Sequence, residues 1–522
     1  MTRRVSKVTF QIMSRLSPWL VRQVAIAVVT AVFLSASSVS LADKPNIIVI
    51  LADDLGWGDV SCNQPNGKIR TPAIDVLASE GMRFTNAHAP HSVCTPTRYS
   101  LLTGRYCWRT YLREGVLPGY ARPLIPPSRA TIASVLKKAG YQTGAFGKWH
   151  IGLQWKPKPG DPGDFHFGSQ IHGPGAKQAL AELSQRVDHT ARIQGGPLAI
   201  GFDTFFGTPS NCSRIPVFIR DDRVINNPMP DESGMIRDST LDRSTVDDLY
   251  VDEASAFIKA SIAADKPFFV YLPLNAAHGA VLPPKRFVGQ SGIGARADRC
   301  LWVDESVARI RKLLFETGED KNTLVIFTSD NGPKYDKKEL QNGGHDASGP
   351  FRGFKTDAWE GGTRVPFIVR WPGRVAASKA NNNLICLTDL LPTISSIIGV
   401  TLPQWAAEDG IDQKQQLLEP DAAPTRRSMV TQSYTGILSI RRGKWKLIFD
   451  TPGSGGFFKY SPEVAPMNTI APWRADLSRS GQLYNLSEDP YEQQNLYAGQ
   501  PEIVEQLKTE MLKTINSGRS DP

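Results

Sequence analysis

Two hydrophobic patterns alternate along most of the chain. The run Asn46–Ala52 is almost continuously apolar, as expected of a strand buried on both faces, and Phe268–Leu274 and Thr323–Thr328 repeat it. Between these runs the period becomes helical. Ile132, Val135, Leu136 and Ala139 fall at i, i+3, i+4 and i+7 before Gly140, and Val303, Val307, Ile310 and Leu314 share one face ahead of Gly318. Such alternation predicts a mostly parallel sheet with helices on both faces. Near Pro403 the pattern changes. Leu438 and Ile440, then Trp445, Leu447 and Phe449, alternate around Arg442-Gly443 and predict an antiparallel hairpin, and an amphipathic helix from Pro501 places Val504, Leu507, Met511 and Ile515 on one face. The stretch Gln154–Ser213, rich in Gly, Pro and polar residues, is read as a surface insertion. The expected architecture is a large α/β domain over residues 43–402 and a small α+β domain, antiparallel sheet plus helix, over 403–522.

Charge and composition narrow the classes. The 522 residues carry a formal +9, but residues 1–42 hold five basic residues and no acid, so the remainder carries only +4. A nucleic-acid binder keeps its basic excess in the folded part, so that class is set aside. Hydrophobic residues at 41% and charged residues at 21% exclude extended disorder and a fibrous fold. Residues 1–42 read as a signal peptide, with a basic lead, the apolar run Val24–Leu34 and small residues ending Ser40-Leu41-Ala42. Val24–Leu34 is shorter than the roughly 20 apolar residues a membrane span needs. An exported protein, periplasmic or secreted, is expected, with an uncleaved anchor as the alternative. Six cysteines without a CxxC pair suggest neither a disulfide scaffold nor a zinc site, though some are expected to pair after export.

The chemistry concentrates at strand ends. Asp53-Asp54 closes the first run, Asp330-Asn331 follows the third, and Asn275 and His278 follow the second. Ligands of open α/β sheets bind beyond the carboxyl ends of the strands, so these groups are expected to converge. Three carboxylates and an amide suit a hard divalent cation, Ca²⁺ or Mg²⁺. Taken singly, each pair also suits a turn or helix cap. Thr143–Gly147 leads into Lys148-Trp149-His150, where strand alternation would point Lys148 and His150 the same way. Cys94-Thr95-Pro96-Thr97-Arg98 opens a helical segment closed by Gly104, which places Cys94 at a helix N-terminus suited to anions.

Cys94-x-Pro96-x-Arg98 with Leu101-Leu102-Thr103-Gly104-Arg105 resembles the sulfatase signature, in which the cysteine is oxidised to formylglycine. Asn46–Asp54, Gly147–His150, Asp330-Asn331-Gly332, Lys355 with Glu360–Pro366, and the tail Leu483–Leu496 resemble further blocks of that family, in family order. The resemblance implies an alkaline-phosphatase-like α/β sandwich with a small C-terminal domain. It also implies one divalent cation, Ca²⁺ in most relatives, on Asp53, Asp54, Asp330, Asn331 and the formylglycine made from Cys94. By the same resemblance a hydroxyl of the hydrated aldehyde attacks sulfur with Asp330 as base, and Arg98 orients residue 94. Lys148 and Lys355 neutralise the sulfate oxygens. His278, with Lys355, protonates the departing alcohol, and His150 takes the proton of the second hydroxyl so that sulfate leaves. The implied partners are a sulfated small molecule or carbohydrate and a formylglycine-generating maturation enzyme, with neither nucleic acid nor a stable membrane span. No counterpart is evident in Gln154–Ser213 for the serine that some relatives place near the sulfate. His345 is a candidate for the leaving-group side or a loop residue without a role, and His88 and His91 are read as structural. Trp108, Arg109 and Tyr111 are candidate lining for a polyanionic sugar. A phosphonate or phosphate monoester hydrolase on the same site is the rival enzyme, and a non-catalytic exported binding protein the rival of another class.

Overall fold

The computed structural model describes residues 44–163, 175–334, 336, 339, 344–450, 456 and 481–520. The expected signal peptide, residues 1–42, lies outside them, as do residues 164–174 of the Gly/Pro-rich stretch. Five parallel strands form the centre of a ten-stranded sheet: β1 (Asn46–Asp53), β2 (Gln142–Lys148), β3 (Thr204–Thr208), β4 (Phe268–Ala277) and β5 (Thr323–Ser329). Their spatial order is β5-β1-β4-β2-β3, and shorter strands extend the sheet on both sides, joined to β5 and β3 by antiparallel pairing. All eight residues of β1 are buried. Ile47, Val49 and Leu51 enter one apolar core while Ile48, Ile50 and Ala52 enter the other, so the continuous run is the consequence of two covered faces.

Helices α1 (Cys94–Thr103) and α2 (Ile132–Lys138) pack on the first face. Helices α3 (Val246–Ala263) and α4 (Ala295–Glu316) cover the second. Helix α1 is buried along its whole length and ends at Gly104, whose φ of 65° is the left-handed conformation that glycine adopts without penalty. Gly147 has a different necessity, because a Cβ there would lie 2.0 Å from the Pro273 carbonyl oxygen. Only glycine lets β2 and β4 approach so closely just ahead of Lys148.

A four-stranded antiparallel sheet follows, β6 (Ser428–Gln432), β7 (Leu438–Arg442), β8 (Trp445–Ile448) and β9 (Gln482–Asn485), with helix α5 (Pro501–Asn516) against it. Val504, Leu507 and Met511 of α5 share a buried cluster with Ile440, Leu447 and Leu483. The two sheets belong to one compact unit, Pro45–Pro522.

The structure corrects two local expectations. Gln154–Ser213 is not a plain surface insertion, since it contains the helix Ala176–Arg186 and ends in the inner strand β3. A five-residue Thr-Phe-Phe-Gly-Thr strand is too short for periodicity to reveal. Strand β4 runs past Leu274 to Ala277, so Asn275 is a strand residue. It donates from its backbone and side-chain N–H groups to Asp247, at 3.0 and 3.3 Å, and belongs to the footing of α3.

Candidate active site

The carboxyl ends of the five parallel strands bring distant segments together. Asp53, Asp54, Cys94 and Asp330 each offer a ligand atom, and these atoms lie within 4.8 Å of one another. Three cations hold the carboxylates. Arg98 donates through Nε and a terminal nitrogen to Asp330 at 2.9 and 2.8 Å, reaches Asp53 at 3.3 Å, and donates to the Lys148 carbonyl at 2.8 Å. Lys148 pairs with Asp53. Lys355 donates to Asp54 Oδ1 at 2.5 Å and lies 3.5 Å from Cys94 Sγ. Asn331 donates to the same Asp54 oxygen at 2.7 Å.

The fit to a cation is tested by the oxygens left over. Asp54 Oδ2 and Asn331 Oδ1 are buried without a hydrogen-bond partner. Two orphaned acceptors beside two further carboxylates form an all-oxygen donor set for a hard divalent ion. Asp54 adopts the left-handed region, with φ 58°, to turn its carboxylate into this cluster.

Burial and charge set the protonation states. Burial pushes the Cys94 thiol up to about 11, so an unmodified Cys94 is protonated and weakly nucleophilic at neutral pH. Burial, with Asp53 beside it, pushes Asp330 up to about 6. Burial opposes the charge on Asp54, yet Lys355 and Asn331 hold its carboxyl below the usual range.

The two histidines take the same tautomer, protonated on Nε2, but their partners leave opposite nitrogens unengaged. His150 Nε2 lies 3.0 Å from the Leu117 carbonyl, which can only accept, so Nε2 carries the proton. Its Nδ1 has no partner and remains a bare acceptor. At His278 the Ala280 amide donates to Nδ1 at 2.8 Å, so the proton sits on Nε2, 3.7 Å from Asp54 Oδ2. Burial drives both imidazoles well below their ordinary value, helped at His150 by Lys148 and Arg98 and at His278 by Lys355. Both are neutral at pH 7, one presenting a lone pair and the other an N–H.

These groups open into a cavity of about 140 Å³ lined by Cys94, His150, His278 and Lys355, with Asn211, Arg214 and Tyr434 completing its polar wall. A sulfatase family model matches residues 45–400 of the chain. The chain belongs to the sulfatase family. It is therefore a sulfuric ester hydrolase. It is 32% identical to an N-acetylgalactosamine-6-O-sulfatase of Bacteroides thetaiotaomicron, over 91% of this chain and 94% of that protein. It is 31% identical to human arylsulfatase A, over 91% and 88%. A solved Bacteroides thetaiotaomicron structure described with the metabolism of multiple glycosaminoglycans superposes with a TM-score of 0.75 at 32% identity, covering 91% of this chain and all of that one.

In this sulfatase the ten residues that the resemblance implies for the site lie in the cluster or on the cavity: Asp53, Asp54, Cys94, Arg98, Lys148, His150, His278, Asp330, Asn331 and Lys355. Lys148 and His150 get there differently from strand alternation. Strand β2 ends at Lys148, and His150 has φ 58°, so the chain turns between them. His345 is engaged elsewhere, with Nε2 2.9 Å from Asp59. His88 sits 3.7 Å from Glu360 in a buried ion network. The Trp108, Arg109 and Tyr111 group does not form a sugar site. Trp108 is buried against β7 and α5, Arg109 binds Asp409 at 2.8 Å and the Thr514 carbonyl, and Tyr111 donates to the Arg122 carbonyl. All six cysteines are free, so the pairing expected after export is not formed. Asn211, Arg214 and Tyr434 escaped sequence reading, because they come from loops with no periodic pattern and meet only in the fold.

Proposed function

We propose that this enzyme is an exported carbohydrate sulfatase that releases inorganic sulfate from a sulfated sugar, with formylglycine at position 94 and one Ca²⁺ ion. In its hydrated form the formylglycine, made by a maturation enzyme, supplies two hydroxyls, one to attack sulfur and one to let the sulfate go. Asp53, Asp54, Asp330 and Asn331 would hold the cation, which supplies positive charge for the sulfate oxygens. Residues 1–42 serve as the signal peptide, 43–402 as the catalytic domain and 403–522 as the C-terminal domain.

The remaining chemistry belongs to side chains already placed. Arg98 fixes Asp53 and Asp330 and so holds the floor beneath residue 94. Asp330, in the cluster with residue 94 and held by Arg98, is placed to accept a proton from the attacking hydroxyl. Lys148 and Lys355 place fixed charge where the transferred group gathers negative charge. His278 offers its Nε2–H as a hydrogen bond to the departing alcohol oxygen, which takes its proton from the Lys355 ammonium, and Nδ1 of His150 accepts a proton as sulfate is released.

The observation that carries this reading is the pair of neutral histidines on the cavity that holds Cys94, His150 with an unpartnered Nδ1 acceptor and His278 with its Nε2–H donor. The sugar is inferred from relatives whose names specify N-acetylgalactosamine 6-sulfate esters. The test is sulfate release, measured by ion chromatography, from a sulfated sugar panel, beside an aryl sulfate and the matching aryl phosphate. Turnover of a sugar sulfate well above aryl phosphate is expected. Faster phosphate than sulfate release would overturn the reading.

A further inference from the structure

We infer that Asp247 is a positioning residue for the reaction, fixing the end of β4 so that the His278 ring meets the departing oxygen of the ester. This rests on the leaving-group role of His278 given above.

The first argument is how Asp247 is held. It lies in the first turn of α3 and is fully buried. One carboxylate oxygen accepts from the Asn275 backbone N–H at 3.0 Å and from the Asn275 side chain at 3.3 Å. The other accepts from the Asn275 N–H at 3.0 Å and the Ala276 N–H at 2.8 Å. Burial pushes the carboxyl up to about 6 against the pull of these donors, so a charge at this position is costly. Helix α3 does not need it for its dipole, because Asp248 stands in the same turn and is less deeply buried. What the carboxylate does gain is a grip on two successive N–H groups of β4.

The second argument is the route from that grip to the ring. The pairing of β4 with β1 shifts register between Leu51 and Asp53, so the regular ladder gives way just where β4 nears His278. The His278 N–H donates to the Asn275 carbonyl at 3.0 Å, so the residue Asp247 holds by its N–H carries His278 on its carbonyl. On the other flank the Ala280 amide donates to His278 Nδ1 at 2.8 Å, and the Ala280 carbonyl accepts from Arg243 Nε at 2.6 Å. Leu282 N–H donates to the Arg243 carbonyl at 3.0 Å. Arg243 and Asp247 are four positions apart at the start of α3, and between them they tie both flanks of His278 to one helix start. The ring so held lines the cavity with Cys94 and Lys355.

An amide at 247 would keep the volume but turn its own N–H₂ toward one of the β4 N–H groups, and the strand end would have to move. A misplacement of about 1 Å can cost on the order of 10²-fold in rate. The experiment measures kcat and KM on a sugar sulfate for wild type, Asp247→Asn, His278→Ala and the double variant, with rates normalised to the matured fraction at residue 94 by intact mass. Asp247→Asn should lower kcat by about tenfold or more and leave KM within about twofold, since the departing oxygen gains its charge only in the transition state. The double variant should be no slower than His278→Ala, whereas a general loosening of the fold would multiply the two losses. Arg243→Ala, at a partly exposed side chain, removes the tie to Ala280, should show the same coupling to His278, and serves as the test if Asp247→Asn does not fold. Undiminished kcat in folded Asp247→Asn, a loss confined to KM, or losses that multiply in the double variant would overturn the inference. Undiminished kcat in His278→Ala would instead overturn the leaving-group role on which it rests.

Discussion

Lys355 offers the sharpest test of how the site works. Its ammonium lies 2.5 Å from Asp54 Oδ1 and 3.5 Å from Cys94 Sγ, so it is close enough to act on a group transferred to or from residue 94. A unit charge at about 4 Å in a partly screened site is worth roughly 4 kcal/mol. Removing a donor aimed at developing negative charge costs about 2.7–4 kcal/mol, or roughly 10²–10³ in kcat. Both routes give the same scale for Lys355→Met, which removes the charge and keeps most of the volume. The assay is steady-state sulfate release at saturating concentration of the proposed Ca²⁺, so that any change in the cation affinity of the cluster does not enter, with a thermal melt to establish that the variant is folded. The pH dependence carries a second check. The carboxylates around Lys355, with Asp54 first among them, outweigh the effect of burial and raise its pKa above the ordinary 10.5, so the ammonium stays charged as pH rises through the neutral range. The loss should therefore be flat between about pH 5 and 9. A deficit under tenfold in folded, Ca²⁺-saturated protein, or one that appears only toward alkaline pH, would refute the electrostatic role.

Two further predictions concern residue 94 and the C-terminal sheet. Protein matured with a formylglycine-generating enzyme should resist thiol alkylation at residue 94 and react there with a hydrazine. Cys94→Ser, with one hydroxyl to attack and none to expel sulfate, should take up at most about one sulfuryl group by intact mass, and sustained turnover by it would defeat the two-hydroxyl argument. Glu360 is buried and accepts from Lys446 at 3.1 Å, Arg441 at 3.2 Å and Arg364 at 3.3 Å. Burial opposes its charge, yet these cations hold its carboxyl well below the ordinary 4.5, so its stabilisation is present above about pH 4.5 and lost as pH falls through the folded value. Glu360→Gln should cost about 3–5 kcal/mol at pH 7 by urea unfolding, with the gap to wild type narrowing in acid, and an equal gap at both pH values would contradict this account.

What the sequence discloses follows from where each residue sits. Strands β1, β4 and β5 were legible because both their faces are covered, which forces an unbroken apolar run, and the acids at their ends stand out against that run. Helix α1 was legible from its proline and its closing glycine. Strand β3 was not, because Thr204–Thr208 is short and ends a segment dominated by loop composition. Trp108 and Arg109 misled for a different reason. An Arg stacked on Trp, here 4.3 Å from the ring centroid, serves a sugar face and a domain contact equally well, and only the position of Asp409 and α5 decides between them. Arg214 and Tyr434 lie 220 positions apart in the chain, and nothing in their local surroundings marks them as neighbours of Cys94.

The small sheet is thus more than a lid on the hydrophobic core. The Gln432 amide, at the end of β6, donates to the Pro90 carbonyl at 3.1 Å, and Ser92 donates back to the Gln432 carbonyl at 3.0 Å. Tyr434 continues the seam, donating to the Thr356 carbonyl at 3.0 Å and accepting from Gly115 at 2.8 Å, while Thr356 donates to Ser92 at 2.9 Å. Four backbone hydrogen bonds therefore tie the segments just before Cys94, just before Val116 and just after Lys355 to one C-terminal turn, and a fifth, from Thr356 to Ser92, joins two of those segments to each other. Strand ends of the central sheet are rigid enough to fix the reacting groups by themselves, whereas loops need such external ties to hold a shape. The division of labour follows from this: the parallel sheet places the carboxylates Asp53 and Asp330 at its strand ends, and the C-terminal turn holds in register the loop segments that flank Cys94 and Lys355. Substitutions in that turn should therefore disturb the positions of Cys94 and Lys355 before those of the strand-end carboxylates, because only the former depend on its hydrogen bonds.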